Sequence, residues 1–471
     1  QSSCRYECGG HNLKSRKVQD KLCRHEITQK PDPRVIFFDF RRGELSDVLV
    51  GFFCGQKNKK EVFVCKTKVY LVKKIKEFFM ESFNFYSPTE FVFGRNRESE
   101  CGELVKKYGG TKVLLHFGSS SAERSGLLGK VRESLKKAEV PFVELGGVQP
   151  NPKDSKVYEG IELCRRENVD FILSVGGGSC IDSAKAIAIG VLYDGDFWDF
   201  YAGKASIQKA LPVGTVLTIA AAGSEGSPSS VVTKEEGGLK RGVGSDIIRP
   251  KFSVLNPEWT CSLPAYQTAC GATDIMAHVF ERYFTNTPEV EITDRLCEAV
   301  LLTMLKEVPR VIQNPECYEA RANIMWAGTV AHNDIVGVGR SQDWNSHGLE
   351  HELSGLYDVA HGAGLAVIMP AWMEYVMNHN VMRFAQMACR VFGCNMDFEN
   401  PKNTAKAGIR EFRRFLSRIG MPINFEELGA KPEDIPLMVE KLNPGEGHGF
   451  VPIRSEDATA IYQLAVAAKV E

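Results

Sequence analysis

The sequence predicts an α/β part built on a parallel sheet, followed by an all-helical part. Three observations predict this. From Thr111 onward, short apolar runs alternate with amphipathic helical segments. After about Ser262 the strand signal stops and gives way to a series of long segments with apolar residues at helical spacing. At 471 residues the chain has room for both parts. The expected boundaries are 80–262 for the sheet-bearing domain and 263–471 for the helical one.

Residues 1–79 stand apart from both. They carry 18 Lys and Arg against 9 Asp and Glu, although the whole chain has a formal net charge of -1. The first methionine is Met80. Cys4, Cys8, His11, Cys23 and His25 fit no standard zinc-finger spacing. The stretch is read as an atypical basic extension outside the predicted fold. With 25% charged residues and no global basic excess, a nucleic-acid or membrane-surface binder is excluded. No run approaches eighteen apolar residues, so no transmembrane helix is expected, and without a basic start and apolar run no secretory signal is expected either. The nine cysteines of 80–471, among them Cys101, Cys164 and Cys270, are scattered singly. They read as reduced thiols of a cytoplasmic protein.

In order along the chain, "TKVLLHFG" is a buried strand and "AERSGLLGKVRESLKKAEV" a helix. "PFVEL" is a second strand and "DSKVYEGIELCRRENV" an amphipathic helix. "DFILSV", "CIDSAKAIAIGVL" and "VGTVLTIAA" continue as strand, helix and strand. Such alternation gives a parallel sheet covered on both faces. The helical part opens with "AYQTACGATDIMAHVFERYF", "ITDRLCEAVLLTMLKEVPRVI" and "YEARANIMWAGTVAHND".

Two turns in the first part suit a dinucleotide. Gly176, Gly177, Gly178 and Ser179 lie between a buried strand and a helix start. Such a turn aims backbone N–H groups and the positive helix end at an anion. It is not G-x-G-x-x-G, because Ile181 takes the third glycine position. A purely structural glycine turn would read the same way. Upstream, Gly118, Ser119, Ser120 and Ser121 follow the first strand, with Arg124 nearby. An acid there would accept from a ribose hydroxyl and repel a 2′-phosphate. Small hydroxylic residues favour NADP(H), and Glu123 partly offsets the positive field.

The second part concentrates histidine. "SHGLEHELSGLYDVAHG" holds His347, His351 and His361. The zinc-protease motif H-E-x-x-H fails, because Gly348 follows His347 and Glu350 precedes His351. Asp274 and His278 are four apart and share one helical face. Alone they read as a helix hydrogen-bond pair. With His347 and His361 they make one carboxylate and three imidazoles, a set suited to Fe2+ or Zn2+. His351 shares a helical face with His347, so a fourth imidazole is conceivable.

Residues from about 80 to 470 resemble the iron-containing (group III) alcohol dehydrogenases, in their butanol dehydrogenase or NADPH-dependent aldehyde reductase branch. The resemblance runs in order through "QPNP", "GGGSCIDSAKA", "LTIAAAGSEGS", "GLKRG", "VLNPEWTCSLP", "DIMAH", "RANIMWAGT", "QDWNSHGLEHELSGLYDVAHG" and "AVIMPAW". It implies a Rossmann-like dinucleotide domain followed by a helical metal-binding domain, and a homodimer. It implies metal ligation by Asp274, His278, His347 and His361, with His351 beside the nicotinamide as the catalytic histidine. Cofactor contacts fall on Asn151, Asp182, Thr218 and Lys240. Ala222 stands where some members have threonine, which removes one cofactor hydroxyl contact.

The implied reaction is hydride transfer between NADP(H) and a small alcohol or aldehyde, with the metal as Lewis acid. A dehydroquinate-synthase-like lyase or a glycerol-dehydrogenase-like enzyme would share the architecture. A lyase of that kind uses a different ligand set and several basic residues for an anionic substrate. Here the surroundings "IMWAGTVA" and "AVIMPAW" are apolar. A noncatalytic metal-stabilised homologue would not need both an intact ligand set and an intact glycine turn.

Overall fold

The computed structural model describes residues 80–118, 121–445, 447 and 449–470. The expectations for residues 1–79, including the cysteine and histidine set, lie outside the described residues, as do Ser119 and Ser120.

Among the described residues, eight strands and thirteen longer helices frame the site. They are β1 (Glu90–Phe93), α1 (Cys101–Lys107), β2 (Val113–Phe117), α2 (Leu127–Lys137), β3 (Phe142–Leu145), α3 (Asp154–Glu167), β4 (Phe171–Gly176), α4 (Gly178–Val191), β5 (Val213–Leu217), β6 (Ser229–Lys234), β7 (Leu239–Gly244) and β8 (Phe252–Leu255). The helical part holds α5 (Ala265–Tyr283), α6 (Glu291–Gln313), α7 (Tyr318–His332), α8 (Asn345–Tyr357), α9 (His361–Val376), α10 (Val381–Arg390), α11 (Pro401–Arg418), α12 (Ile435–Leu442) and α13 (Ser455–Ala467).

Six strands form one parallel sheet in the order β1-β8-β5-β4-β2-β3. Side-chain alternation along each strand explains why both faces are covered. Val113 and Leu115 of β2, with Phe171, Leu173 and Val175 of β4, pack under α1 and α2. Leu114 and Ile172 point the other way, against Val157 and Ile161 of α3 and Ile187 of α4. The chain runs from β2 outward to β3, then returns to place β4 on the other side of β2. Ligands of open α/β sheets bind at such a reversal, beyond the carboxyl ends of the strands. Gly118 follows β2 there and Gly176 ends β4.

Sequence reading missed β1, β8 and the antiparallel pair β6–β7. The helix expected from "AERSGLLGKVRESLKKAEV" is broken into Ser121–Arg124 and α2. Gly126 causes the break, with φ of 81° between the two pieces.

Beyond β8 the described residues form helices around α5, whose residues from Thr268 to Tyr283 are all buried. A helix buried on every side belongs at the centre of its domain. Helices α6, α7 and α9 pack on it, and Trp372 of α9 is fully buried in the same core. Among the described residues no helix is long and apolar enough to cross a membrane.

Candidate active site

Helix α5 carries Asp274 and His278 on one stripe, α8 carries His347 and His351, and His361 is the first residue of α9. Two local features bring the three helices together. Asp343 accepts from the Asn345 amide at 2.8 Å and so holds the first residue of α8. Gly362 lets α9 approach α5, because a Cβ there would stand 2.0 Å from the Cys270 carbonyl oxygen.

One oxygen is the focus. Asp274 Oδ1 lies 3.5 Å from His278 Nε2, 3.6 Å from His347 Nε2 and 3.6 Å from His361 Nε2. Bonds of about 2.1 Å to a tetrahedral ion put neighbouring ligand atoms roughly 3.4 Å apart. Asp274, His347 and His361 each offer an atom within 4.8 Å of the other two; His278 lies outside that group, with its Nε2 3.5 Å from the Asp274 oxygen. Asp274 Oδ1 and His347 Nε2 are buried without a hydrogen-bond partner. Buried groups left so are costly unless something else satisfies them. A divalent cation fits: the donors are one carboxylate oxygen and imidazole nitrogens.

The electrostatics agree. Burial alone would discharge His347, but Glu281 and Asp274 outweigh it and push its pKa up to about 10. The pocket draws positive charge. Burial and the neighbouring histidine His332 hold His278 well below its ordinary value. Glu281 and Glu350 escaped the sequence reading as site residues. Glu281 is seven residues after Asp274 on the same helix, so the helical stripe carried a signal for it. His332 and Trp344 were missed as well, and their rings pack on His278 at centroid distances of 4.1 and 6.1 Å.

His351 is half-buried, with its ring 5.7 Å from that of His361. Burial and the ammonium of Lys240 hold it well below its ordinary value. Glu350, His351 and His361 also form a compact group. Lys240 Nζ already lies 3.4 Å from Glu350 and 3.3 Å from His361 Nδ1. That is positive charge where a second ion would need to sit.

The expected nucleotide residues divide. Gly177 leads into α4 with no side-chain cap, and no acid occupies the first turn. A Cβ on Gly177 would stand 2.2 Å from Ile219, so the turn packs tightly on the end of β5. Gly176 and Thr218 are joined there by a 3.0 Å backbone hydrogen bond. Gly178 and Ser179 open α4, and Ser121 opens the single turn after Gly118. Asp182 accepts from Ser224 Oγ at 2.5 Å and from the Val231 amide at 3.0 Å, so its carboxylate anchors β6. Asn151 donates to Asp358 and to the Val359 carbonyl, just ahead of His361. Lys240, on β7, faces Glu350 and His361 instead.

Comparison with known proteins places this arrangement. The pattern of "Iron-containing alcohol dehydrogenase" matches residues 88–257, and that of "Fe-containing alcohol dehydrogenase family, C-terminal" matches residues 268–466. NADH-dependent butanol dehydrogenase A of Clostridium acetobutylicum is 40% identical over 388 residues, covering 82% of this chain and 99% of that protein. The NADPH-dependent aldehyde reductase of Escherichia coli is 34% identical over 374 residues, covering 79% and 94%. The crystal structure of NADH-dependent butanol dehydrogenase A from Thermotoga maritima superposes with a TM-score of 0.80 at 40% identity, covering 83% of this chain and all of that one. The chain is an oxidoreductase that belongs to the iron-containing alcohol dehydrogenase family.

Proposed function

We propose that the protein is an alcohol dehydrogenase and aldehyde reductase that moves hydride between NADP(H) and a small primary alcohol or aldehyde such as butanol or butanal. Asp274, His278, His347 and His361 hold one divalent ion, Fe2+ or Zn2+. The observation that carries this reading is the set of three Nε2 atoms around one orphaned Asp274 oxygen. When bound, the ion supplies Lewis acidity toward a carbonyl oxygen and the reduced nicotinamide supplies the hydride.

The chain's own residues do the rest. The turn from Gly176 to Ser179 and the start of α4 receive the pyrophosphate. Asp274 and the three imidazoles fix where the substrate oxygen lies. His351, neutral and half-buried, passes a proton between water and that oxygen through a ring nitrogen.

Two observations support NADP(H). Gly118 and Ser121 offer no carboxylate to a ribose hydroxyl. Glu123 is paired with Arg132 at 2.9 Å, which partly offsets its charge, while the same guanidinium also holds Glu144. Relatives of both preferences exist, since the C. acetobutylicum protein is named for NADH and the E. coli protein for NADPH. The test is the fall in NADPH absorbance with butanal, repeated with NADH. Higher kcat/KM with NADPH is expected, and Ser120→Asp should shift the ratio toward NADH by roughly tenfold or more. Equal or better efficiency with NADH overturns the NADP(H) reading, and no turnover with any short aldehyde overturns the enzyme reading.

A homodimer and a cytoplasmic location belong to the same proposal. Strand β1 is a sheet edge, and Phe83, Phe85 and Tyr86 just before it are exposed. An edge strand beside exposed aromatics suits association with a second copy. The nine free cysteines among the described residues suit a reducing compartment. Sedimentation of the purified chain tests the first point.

A further inference from the structure

Two buried carboxylates lie behind the candidate ligands rather than among them. Glu281 Oε2 is 2.5 Å from His347 Nδ1, although neither atom finds an aligned hydrogen-bond partner. Glu350 Oε2 hydrogen-bonds to His361 Nδ1. Both glutamates are fully buried, at 0% exposure. In each case the carboxylate meets the ring on the side away from Asp274.

A neutral imidazole carries one proton, on either Nδ1 or Nε2. An ionised carboxylate only accepts, so a carboxylate at Nδ1 keeps the proton there and leaves the Nε2 lone pair bare. The Nε2 atoms of His347 and His361, on which an ion would replace a proton, are the ones that face Asp274 Oδ1. Each glutamate has a second hold that fixes its own position. Glu281 Oε1 accepts from Ser346 Oγ at 2.5 Å and from the His347 amide at 3.0 Å, so one side chain sets both the backbone and the ring of the same residue. Glu350 Oε1 accepts from Ser354 Oγ one turn along α8, and Lys240 from β7 lies 3.4 Å from Oε2. His278 differs: its Nδ1 is buried with no partner.

We infer that Glu281 and Glu350 are positioning residues of the metal centre, committing His347 and His361 to the Nδ1–H form with Nε2 free for the ion. Carboxylate partners of this kind orient ligating histidines and raise their basicity, and losing one costs about 10- to 100-fold in metal affinity. The inference rests on the proposed metal centre at Asp274 and the three histidines.

The experiment measures Zn2+ affinity of the full chain by competition with a chromophoric chelator, and the visible spectrum of the Co2+-loaded protein. Wild type, His361→Ala, Glu281→Gln, Glu350→Gln and Glu350→Ala are compared, each with the melting temperature of its metal-free form. The glutamate variants should bind Zn2+ about 10- to 100-fold more weakly, with altered Co2+ bands. A melting temperature near wild type for either Glu350 variant separates this from a folding defect. If Glu281→Gln fails to fold, the two Glu350 variants decide. Wild-type affinity and an unchanged Co2+ spectrum in both Glu350 variants overturn the inference while leaving the metal centre standing. A wild-type protein that binds no more Zn2+ than His361→Ala overturns the metal centre, and the inference with it.

Discussion

Asn151 donates its side-chain amide to Asp358 Oδ1 at 3.1 Å, joining the loop between β3 and α3 to the turn that presents His361. Both residues have positive φ, 50° and 51°, a conformation that asparagine and aspartate tolerate better than most. Asn151 also reaches the Val359 carbonyl at 3.3 Å, and Lys153 adds an ion pair to the same aspartate at 3.2 Å. The sheet-bearing part therefore grips the segment that carries a candidate metal ligand. Asn151→Ala should cost about 1–2 kcal/mol in denaturant unfolding and raise KM for the dinucleotide. Unchanged stability would mean the bond is not formed in solution.

His351 and His361 are ten residues apart in sequence but have different expected roles. His361 points Nε2 at Asp274 Oδ1, whereas His351 stands beside Lys240 at the edge of the same cluster. His361→Ala should abolish metal retention by elemental analysis. His351→Ala should keep its metal and lower kcat about 100-fold, the scale of a lost proton-transfer group. Metal loss in the His351 variant would make that residue a ligand.

His116 sets a pH dependence far from the helices that carry those ligands. It is buried in β2, with Nδ1 2.9 Å from the Leu145 carbonyl and Nε2 2.9 Å from Ser183 Oγ. Burial pushes its pKa down to about 4, from an ordinary 6.5. Between those values the unfolded chain binds a proton that the folded chain does not. This contribution is full above pH 6.5 and is lost as pH falls toward 4. The expected loss is about 3 kcal/mol between pH 7 and pH 4. Denaturant melts of metal-free wild type and His116→Gln across that range should converge as the pH falls.

Strands β2, β3, β4 and β5 were legible because each is an apolar run bounded by polar or glycine residues. Strand β8, Phe252–Leu255, was missed although it is as long as β3. The β6–β7 pair lies outside the main sheet and is only partly buried, so polar residues such as Lys234 and Arg241 interrupt its pattern. Asp274 and His278 were legible through helical spacing alone. His347 and His361 were grouped with that pair by ligand chemistry, and the family resemblance then singled them out over His351. Their approach depends on packing α9 against the Cys270 carbonyl, and no local spacing encodes that contact. Lys240 was expected at the cofactor, and only the fold brings β7 against Glu350.

Residues 1–79 should be dispensable, and the place of the cut matters. The C. acetobutylicum relative is matched over 99% of its length by 82% of this chain, and the family pattern begins at residue 88. Yet the residues just before position 88 are held by the helical part. The Glu81 amide donates to the Gly339 carbonyl at 2.9 Å, and the Glu81 carboxylate accepts from Thr287 Oγ1 at 2.6 Å. Met80 packs so closely on Gly339 that a Cβ there would lie 2.5 Å from its Cγ. A chain beginning at Met80 should match the full chain in metal content, kcat/KM and melting temperature. One beginning at Pro88 loses the Glu81 bonds and the Met80 contact, and should be less stable by about 2–4 kcal/mol. Loss of metal or solubility in the Met80 form would show that the basic segment is a working domain.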